Sequence, residues 1–329
     1  MNEKDIMVSV VCLAYNHERY IRKALESFVM QVTNFRYEII IHDDASTDNT
    51  ANIIREYEKK YPDLIHPIYQ TENQYSKGVN VELIAEEHSR GKYIAYCEGD
   101  DFWTDAYKLQ KQFDYMEAHP ECSLCVHAAF RVNDEGKKLN YHIRPNTGNK
   151  EYTVEEVIIG GGGLFPTCSY FSRAKYSKNM PEFYINAPVG DYPFAIYMAL
   201  KGKVYYMDEF MSSYRVNAIG SWTVKEFSDI NKRIRHFQRI ADMLDEINEY
   251  TSFKYAETIR RTKLNNQFQL LLEQEKIKEI KQGEYKKLYL RLGRRERIKI
   301  NLNYYCLRLL DLLRAIKRLF SIGRGNDDR

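Results

Sequence analysis

Runs of apolar residues alternate with helical patterns through the first 130 residues, and this alternation restricts the fold more than any other feature. The apolar runs of strand length are Ile6–Leu13, Tyr37–His42, Ile65–Tyr69, Tyr93–Cys97 and Ser123–Val126. The helical patterns between them are Arg19–Val29, Thr50–Lys60, Val79–His88 and Ala106–Ala118. This order predicts βαβ units and a mixed, mainly parallel sheet with flanking helices. Right-handed crossovers then bring the carboxyl ends of the strands to one edge, where α/β proteins bind ligands.

Polar residues follow the first two predicted strands. The first strand runs into Ala14, Tyr15 and Asn16, which either form a plain strand-to-helix turn or line a ligand site. The second strand ends in Asp43 and Asp44. Adjacent carboxylates repel each other unless something accepts their charge or lone pairs. Hydrogen bonds from a base N–H and from ribose hydroxyls would do so.

The fourth predicted strand runs directly into Glu98, Gly99, Asp100 and Asp101. Charged groups are costly to desolvate, so carboxylates at a strand end need a cation, a polar ligand or water. A divalent cation that also holds a diphosphate needs only one or two protein carboxylates, and Gly99 lets the backbone turn closely. The alternative is that Asp100 or Asp101 only caps the helix that follows.

The pattern becomes irregular from about residue 127 to 223, as expected for the half of an enzyme that receives a second substrate. It includes a hairpin turn at 133–136 and one helical stretch, Tyr192–Leu200. Asp191, directly before this helix, is either a helix cap or a carboxylate that accepts a proton from a nucleophile. The glycine run 160–163, which precedes Thr167 and Ser169, is either a mobile loop at an acceptor site or a surface connection.

Together and in this order, these motifs resemble the family 2 glycosyltransferases, which are inverting enzymes of the GT-A fold. The resemblance covers roughly residues 6–223. The family's strand-one motif matches Tyr15-Asn16, its Asp-Asp-x-Ser-x-Asp motif matches residues 43–48, and its DxD-type motif matches residues 98–100. Glu98 stands in the first acidic position of that motif, which is a mild departure.

The resemblance implies a role for each matched residue. Nucleotide contacts fall on Ala14, Tyr15, Asn16, Asp43, Asp44, Glu98 and Gly99. A Mn²⁺ or Mg²⁺ ion falls on Asp100, with Asp101 or Glu98 assisting, and Asp191 matches the catalytic base. For the sugar or acceptor, the resemblance points to the segment with Arg215 and Asn217 and to Trp222, which is otherwise a core residue. Thr167 and Ser169 are expected contacts because they follow the glycine run. The family commonly carries His where Asn217 stands, and Asn is a poorer metal ligand.

The last 44 residues form a distinct electrostatic unit. Residues 286–329 contain thirteen Lys and Arg but four Asp and Glu, and apolar residues from Leu302 to Ile316 recur on one helical face. Such a helix either lies on anionic lipid or packs on the catalytic domain or on a second subunit, as in a homo-oligomer. Nucleic-acid binding is not expected, because the basic residues come without a recognition motif.

Cysteine usage and hydropathy predict a cytoplasmic protein, peripheral on the inner face of the membrane if the tail binds lipid. The six cysteines, interpreted as reduced core residues, are Cys12, Cys97, Cys122, Cys125, Cys168 and Cys306. The Cys-x-x-Cys pair has metal or redox spacing, but neither a second pair nor paired histidines follow it. No signal peptide or apolar run of membrane-spanning length is expected.

The sequence therefore predicts a GT-A domain at residues 1–223, with a nucleotide-sugar half (1–130) and an acceptor half (131–223), and a helical extension at 224–329. The expected reaction moves a sugar from a nucleotide sugar, UDP-sugar favoured, to a glycan or lipid-linked acceptor in surface polysaccharide or glycolipid assembly. The alternatives are a catalytically silent sugar-nucleotide-binding or scaffold protein, and a nucleotidyltransferase. The latter usually has a Gly-rich, basic phosphate loop after strand one, which residues 13–17 lack.

Overall fold

The computed structural model describes residues 5–177, 179–218 and 226–302. The strands are β1 (Ile6–Ala14), β2 (Arg36–Asp43), β3 (Ile65–Tyr69), β4 (Tyr93–Tyr96), β5 (Phe102–Trp103), β6 (Cys122–Val132), β7 (Lys138–Ile143), β8 (Lys150–Tyr152), β9 (Phe171–Arg173) and β10 (Lys203–Arg215). The helices are α1 (Ile21–Val29), α2 (Thr50–Lys60), α3 (Val81–Glu87), α4 (Lys108–Ala118), α5 (Val154–Gly160), α6 (Glu182–Ile185), α7 (Asp191–Lys201), α8 (Ile230–Tyr250), α9 (Ala256–Glu273), α10 (Ile277–Ile280) and α11 (Tyr285–Arg291). Every strand and helix predicted in the first 130 residues is present.

The strands form one sheet in the order β3-β2-β1-β4-β9-β6-β10-β5, with β7 on β6 and β8 on β10. Parallel pairing joins β3, β2, β1 and β4, and it also joins β6 to β10. The short strand β9 runs antiparallel between β4 and β6. The carboxyl ends of β1, β2 and β4 therefore lie at one edge, as the sequence predicts, and the mixed α/β class is confirmed.

Side chains of β1 alternate between two apolar layers, because successive residues of a strand point to opposite faces. Val8, Val10 and Cys12 pack with α1, α2 and α4 on one face of the sheet. Val11 packs on the other face, in a layer that includes residues of α3, α5 and α7. The sheet is thus covered on both sides, which places the polar loops at its edge.

The C-terminal helices pack on the α/β core through α8 and α9. Ile240, Leu244 and Ile247 of α8 and Ile259 of α9 belong to the apolar cluster that includes α7. Helices α10 and α11 form a smaller cluster with the end of α9. The predicted boundary at 223/224 and most of the basic tail lie outside the described residues. Within residues 5–177, 179–218 and 226–302, no helix is long and apolar enough to cross a bilayer.

Strand β10 is a central element that the sequence patterns did not identify. It spans thirteen residues and pairs with β6 in parallel and with β5 and β8 in antiparallel fashion. The turn predicted at 133–136 joins β6 to β7, where the N–H of Gly136 donates to the carbonyl of Asn133. Both features bring chain from the predicted acceptor half (131–223) to the polar edge of the sheet.

Candidate active site

The loop after β1 is tied to the loop after β2 by Asn16. Its backbone N–H donates to Oγ of Ser46 at 2.9 Å, and its Oδ1 accepts from the N–H of Thr47 at 2.8 Å. Asn16 has a φ of 56°, a left-handed conformation that Asn tolerates better than most residues. Tyr15, next to it, is 42% exposed, whereas Ala14 is buried. The aromatic ring of Tyr15 is therefore available at the sheet edge, and Asn16 fixes the two loops beside it.

The two aspartates at the end of β2 differ in their surroundings. Both oxygens of Asp44 accept backbone N–H groups, from Gln74 at 2.7 Å and from Tyr75 at 3.1 Å. Asp43 is buried, which raises its pKa, and its Oδ1 has no partner among the described residues. Asp44 therefore orders the loop after β3, whereas Asp43 keeps an oxygen that a ligand N–H or hydroxyl could satisfy.

The acidic motif after β4 is held close to the loop after β1. The N–H of Gly99 donates to the carbonyl of Leu13 at 2.9 Å. A Cβ at Gly99 would lie 2.8 Å from Nδ1 of His17, so only glycine fits without displacement. The carboxylate of Asp100 makes no hydrogen bond to any residue that the structure describes. Its oxygens are free to bind a cation or a hydrogen-bond donor.

Asp101 points into the protein and has a different role from its neighbour. It is 2% exposed, and its Oδ1 accepts the backbone N–H of Arg215 at 2.6 Å. Burial, together with the charge of Asp100, raises the pKa of Asp101 well above its ordinary value. The position of Asp101 therefore favours a link between this loop and the end of β10, and Asp100 is the better placed metal ligand.

The side chain of Arg215 secures the same loop from the other side. Its guanidinium donates to the carbonyls of Asp100 at 2.8 Å, Asn133 at 2.9 Å and Asp134 at 2.6 Å. It also lies over the ring of Tyr20, 4.5 Å from the centroid. Arg215 thus holds Asp100 in place through Nε and Nη1, and its predicted contact with the sugar or acceptor stays a prediction.

Asp191 is the first residue of α7 and is fixed by a short contact of its own helix. The N–H of Tyr192 donates to Oδ1 at 2.7 Å, and Oδ2 has no hydrogen-bond partner among the described residues. Burial raises the pKa of Asp191 to about 6, and the charge of Glu82 adds to this effect. A Cβ at Gly162 would lie 3.5 Å from both carboxylate oxygens. The glycine run thus passes directly beside Asp191.

Glu82 on α3 is a site residue that the sequence patterns did not identify. The hydroxyl of Tyr184 donates to its Oε2 at 2.6 Å, and its carboxylate lies against the backbone at Gly190. A narrow cleft, with a cavity volume of about 10 Å³, is lined by Val11, Leu13, Glu82, Tyr96, Cys97, Glu98 and Thr167. Burial first, and then the charges of Asp100, Asp101, Glu82 and Asp191, raise the pKa of Glu98 well above its ordinary value. Glu82 and Glu98 therefore line one cleft, and Asp191 is close enough to both for their charges to interact.

A family model described as "Glycosyl transferase family 2" matches residues 9–197, which is more than half of the chain. The chain belongs to glycosyl transferase family 2. An uncharacterized Mycobacterium tuberculosis protein, Rv1520, is 35% identical over 219 residues, covering 65% of this chain and 60% of that protein. The putative teichuronic acid biosynthesis glycosyltransferase TuaG of Bacillus subtilis is 32% identical over 155 residues, covering 47% and 59%. This family 2 chain spans about three fifths of the length of these curated relatives.

Solved structures of low sequence identity share the GT-A fold of this family 2 glycosyltransferase. TarS 1-349 of S. aureus, in complex with UDP-GlcNAc, has a TM-score of 0.59 at 16% identity, covering 91% of this chain and 80% of that one. The mannosyltransferase PcManGT of Pyrobaculum calidifontis, in complex with GDP-Man and Mn²⁺, has a TM-score of 0.53 at 14% identity, covering 93% and 88%. At these identities the likeness supports the fold alone.

The remaining residues that were predicted to contact the sugar or acceptor in this family 2 glycosyltransferase differ in their burial. Thr167 lines the cleft, whereas Ser169 is 0% exposed and its Oγ donates to the carbonyl of Pro166 at 2.6 Å. A buried hydroxyl that is already bonded is poorly placed to reach an acceptor, so the contact of Ser169 stays a prediction that its position does not favour. Asn217 is exposed, with a φ of 59°. Trp222 lies outside the described residues.

The acidic residues fit a cation that is shared with a substrate, rather than a cation enclosed by protein. Within the described part of the chain, no group of three or more His, Cys, Asp or Glu side chains has the arrangement of a metal site. The accessible oxygens of Glu98 and Asp100 are hard donors of the type that Mg²⁺ and Mn²⁺ prefer. One or two carboxylates suffice where phosphate oxygens supply the other ligands.

The cysteines have the properties of core residues, although Cys97 also lines the cleft. Cys12, Cys97, Cys122, Cys125 and Cys168 are free and buried, and Cys306 lies outside the described residues. Burial raises the pKa of each of these five thiols. Since thiolates are the form that binds metal, the Cys-x-x-Cys pair has the properties of core packing.

Proposed function

We propose that this family 2 glycosyltransferase is an inverting, metal-dependent enzyme that transfers a sugar from a UDP-sugar to an acceptor hydroxyl. The observation that carries the proposal is the oxygen of Asp191 that has no hydrogen-bond partner among the described residues. The Asp191 carboxylate is close enough to Glu98 to raise the pKa of Glu98. Direct displacement at a sugar carbon requires two groups, a base and a diphosphate-binding motif. In this chain the two proposed groups lie close together.

The donor would lie across the carboxyl ends of β1, β2 and β4. Tyr15 and the unpaired oxygen of Asp43 would contact the nucleoside, with Asn16 and Asp44 holding the loops that carry them. The diphosphate would lie beside Gly99, where the missing side chain permits a close approach. The sugar would then lie beside the cleft, toward the start of α7.

Asp100 would hold the cation, and Glu98 would assist it. When bound, a Mn²⁺ or Mg²⁺ ion neutralises charge on the departing nucleoside diphosphate. Arg215 keeps the Asp100 backbone in register, and Asp101 fixes the end of β10 beneath it. The role of the protein at this point is orientation, because the acidic loop has no described side-chain donor of its own for the diphosphate.

Asp191 would remove the proton of the acceptor hydroxyl as that oxygen attacks the anomeric carbon. The C–O bond to the diphosphate breaks as the new glycosidic bond forms, and the proton passes to Oδ2. Attack from the face opposite the leaving group inverts the anomeric centre. A pKa of about 6 leaves Asp191 mostly ionised at neutral pH while keeping it a stronger base than an ordinary aspartate.

We infer the acceptor class from relatives that are similar over part of this chain. TuaG is named for teichuronic acid biosynthesis. WfaP of Escherichia coli, 35% identical over 112 residues and covering 34% of this chain and 41% of that protein, is named as a UDP-Glc:alpha-D-GlcNAc-diphosphoundecaprenol beta-1,3-glucosyltransferase. These names support a UDP-sugar donor and a glycan or lipid-linked acceptor in surface polysaccharide or glycolipid assembly.

The basic tail would bring the enzyme to such an acceptor at the cytoplasmic membrane. Residues 286–329 carry the charge for peripheral contact with anionic lipid on its inner face, and a second subunit is the alternative partner. Co-sedimentation with anionic liposomes, compared between the full chain and a chain ending at residue 285, separates these options. Equal binding would exclude the lipid contact, and analytical ultracentrifugation of both chains would show a homo-oligomer.

Donor binding and stereochemistry test the proposed function directly. The melting temperature is measured with a panel of nucleotide sugars, with and without Mn²⁺, for the wild type and Asp100→Ala. We expect one UDP-sugar to raise it in the wild type only when Mn²⁺ is present, and the rise to be lost in Asp100→Ala. Proton NMR of the product should show an inverted anomeric configuration. A retained configuration would contradict the mechanism, and binding without turnover would indicate a silent binding protein.

A further inference from the structure

Helix α3 contributes a carboxylate, that of Glu82, to the lining of the cleft. The helix begins after Asn80, whose side chain accepts from the N–H groups of Glu82 and Leu83, so the first turn is rigid. Glu82 lies in this first turn and lines the cleft together with Glu98 and Thr167. An Asn cap and a fixed first turn place the Glu82 side chain reproducibly.

The two oxygens of Glu82 have different environments. Oε2 accepts the hydroxyl of Tyr184 at 2.6 Å, whereas Oε1 has no hydrogen-bond partner among the described residues. Oε1 is also not sealed from solvent, unlike Oε2 of Glu86 one turn further along α3. Tyr184 therefore orients the carboxylate and leaves Oε1 without a donor from the described part of the protein.

The start of α7 is shaped to admit this carboxylate. A Cβ at Gly190 would lie 2.9 Å from Oε2 and 3.0 Å from Oε1 of Glu82. A side chain at this position would therefore push the carboxylate away from the residue next to Asp191. Glu82 is thereby kept between the diphosphate motif at Glu98 and the proposed base.

We propose that Glu82 binds a hydroxyl group of the transferred sugar and thereby selects uncharged sugars against uronic acids. The inference rests on the proposed function, because the sugar must lie between Glu98 and Asp191. A carboxylate with one open oxygen accepts a sugar hydroxyl strongly. It also repels a second carboxylate at the same place, so that selectivity comes from both attraction and repulsion.

Donor affinity separates this role from a structural one. Calorimetry with Mn²⁺ compares UDP, UDP-glucose, UDP-glucuronate and the corresponding galactose pair on the wild type, Glu82→Gln and Glu87→Gln. Glu87 is an exposed residue of the same helix and serves as the matched control. We expect Glu82→Gln to bind UDP as the wild type does, to bind its best neutral UDP-sugar about tenfold more weakly, and to discriminate less against the uronate.

The outcomes show whether Glu82 contacts the sugar and, separately, whether the protein binds a UDP-sugar. If Glu82→Gln keeps the wild-type preference for neutral sugars over uronates, Glu82 does not contact the sugar, while the proposed function stands. If the wild type binds no UDP-sugar at all, the proposed function and this inference both fail. The shorter variant Glu82→Asp covers the case in which Glu82→Gln does not fold. It retains the charge but withdraws the oxygen, and we expect a similar loss of affinity for the sugar and no change for UDP.

Discussion

The elevated pKa of Asp191 predicts a specific pH dependence of the transfer reaction. Burial raises this pKa from an ordinary value of 3.8 to about 6, and the charge of Glu82 acts in the same direction. A base works only when it is ionised, so activity is present above this pKa and is lost as the pH falls through it. With a pKa of about 6, the ionised fraction falls from about 0.9 at pH 7 to about 0.1 at pH 5, roughly a tenfold loss.

The assay is kcat/KM for release of the nucleoside diphosphate, measured from pH 5 to 8 at saturating Mn²⁺ and a fixed acceptor concentration. The expected profile rises with unit slope, bends near pH 6 and is flat above pH 7. The variant Glu82→Gln should move the bend to lower pH, because it removes a negative charge that raises the pKa of Asp191. Glu87→Gln, which changes an exposed carboxylate of the same helix, should leave the bend in place.

A flat profile between pH 5 and 7 would refute the reasoning. An aspartate with an ordinary pKa of 3.8 would lose less than about a tenth of its activity over that interval. Such a result would mean that Asp191 is well solvated in the working enzyme or is not the base. Melting curves at each pH show whether a loss at low pH comes from unfolding instead.

Three further substitutions test the loops around the site. Ala45 has a φ of 59°, a strained conformation for Ala, so Ala45→Gly should raise the free energy of unfolding in urea by about 0.5–1 kcal/mol. The control Ala51→Gly, in α2, should lower it, and a lower free energy of unfolding for both variants would contradict the strain at Ala45. Gly99→Ala should reduce kcat/KM for transfer at least tenfold, because the new Cβ would lie within 3 Å of two side chains. In the control Gly163→Ala, the new Cβ would have no atom within 4 Å, and kcat/KM should not change. Equal effects of the two substitutions would refute the tight packing at Gly99. Arg215→Lys loses the guanidinium N–H groups that donate to three carbonyls, so it should lower the free energy of unfolding by about 1–3 kcal/mol and weaken Mn²⁺-dependent binding of the nucleotide sugar. Wild-type values in denaturation and calorimetry would show that Arg215 does not hold the acidic loop.

The first half of the fold could be predicted from the sequence because its strands are buried on both faces. Residues such as Val8, Val11 and Ile40 pack against helices on either side, so these strands form continuous apolar runs. Helices between them show the period of one buried face, as Ile53, Ile54 and Tyr57 do in α2. Both signals are local, and the ends of these elements were placed within a few residues.

Strand β10 was not predicted because its apolar pattern is interrupted by charged residues. Asp208 and Glu209 interrupt the run, and the parallel register with β6 shifts near them. Asp208 pairs with Arg144 at 2.6 Å, a contact between positions far apart in the chain. No local pattern reports such a partner, so the strand that completes the site had no signal in the sequence.

The site itself was predictable by residue type but not by orientation. Asp100 and Asp101 are adjacent and chemically identical, yet one carboxylate is open and the other accepts the N–H of Arg215. Ser169 has the same chemistry as its neighbour Thr167 but is sealed in the core. Glu82 belongs to a helix of ordinary composition, and only the fold brings it beside Asp191. Its one sequence signal is the Asn80 cap, which marks a fixed helix start.

Transfer by Asp191→Asn is the measurement that tests the central claim most directly. Asparagine keeps the size of the side chain and the bond from Tyr192 but cannot accept a proton. Sugar transfer to acceptor is followed by mass spectrometry with the UDP-sugar identified by thermal shift, and donor affinity is measured in parallel. We predict a loss of at least about a hundredfold in kcat, with donor affinity within about twofold of the wild type. Full transfer activity in Asp191→Asn would contradict the account.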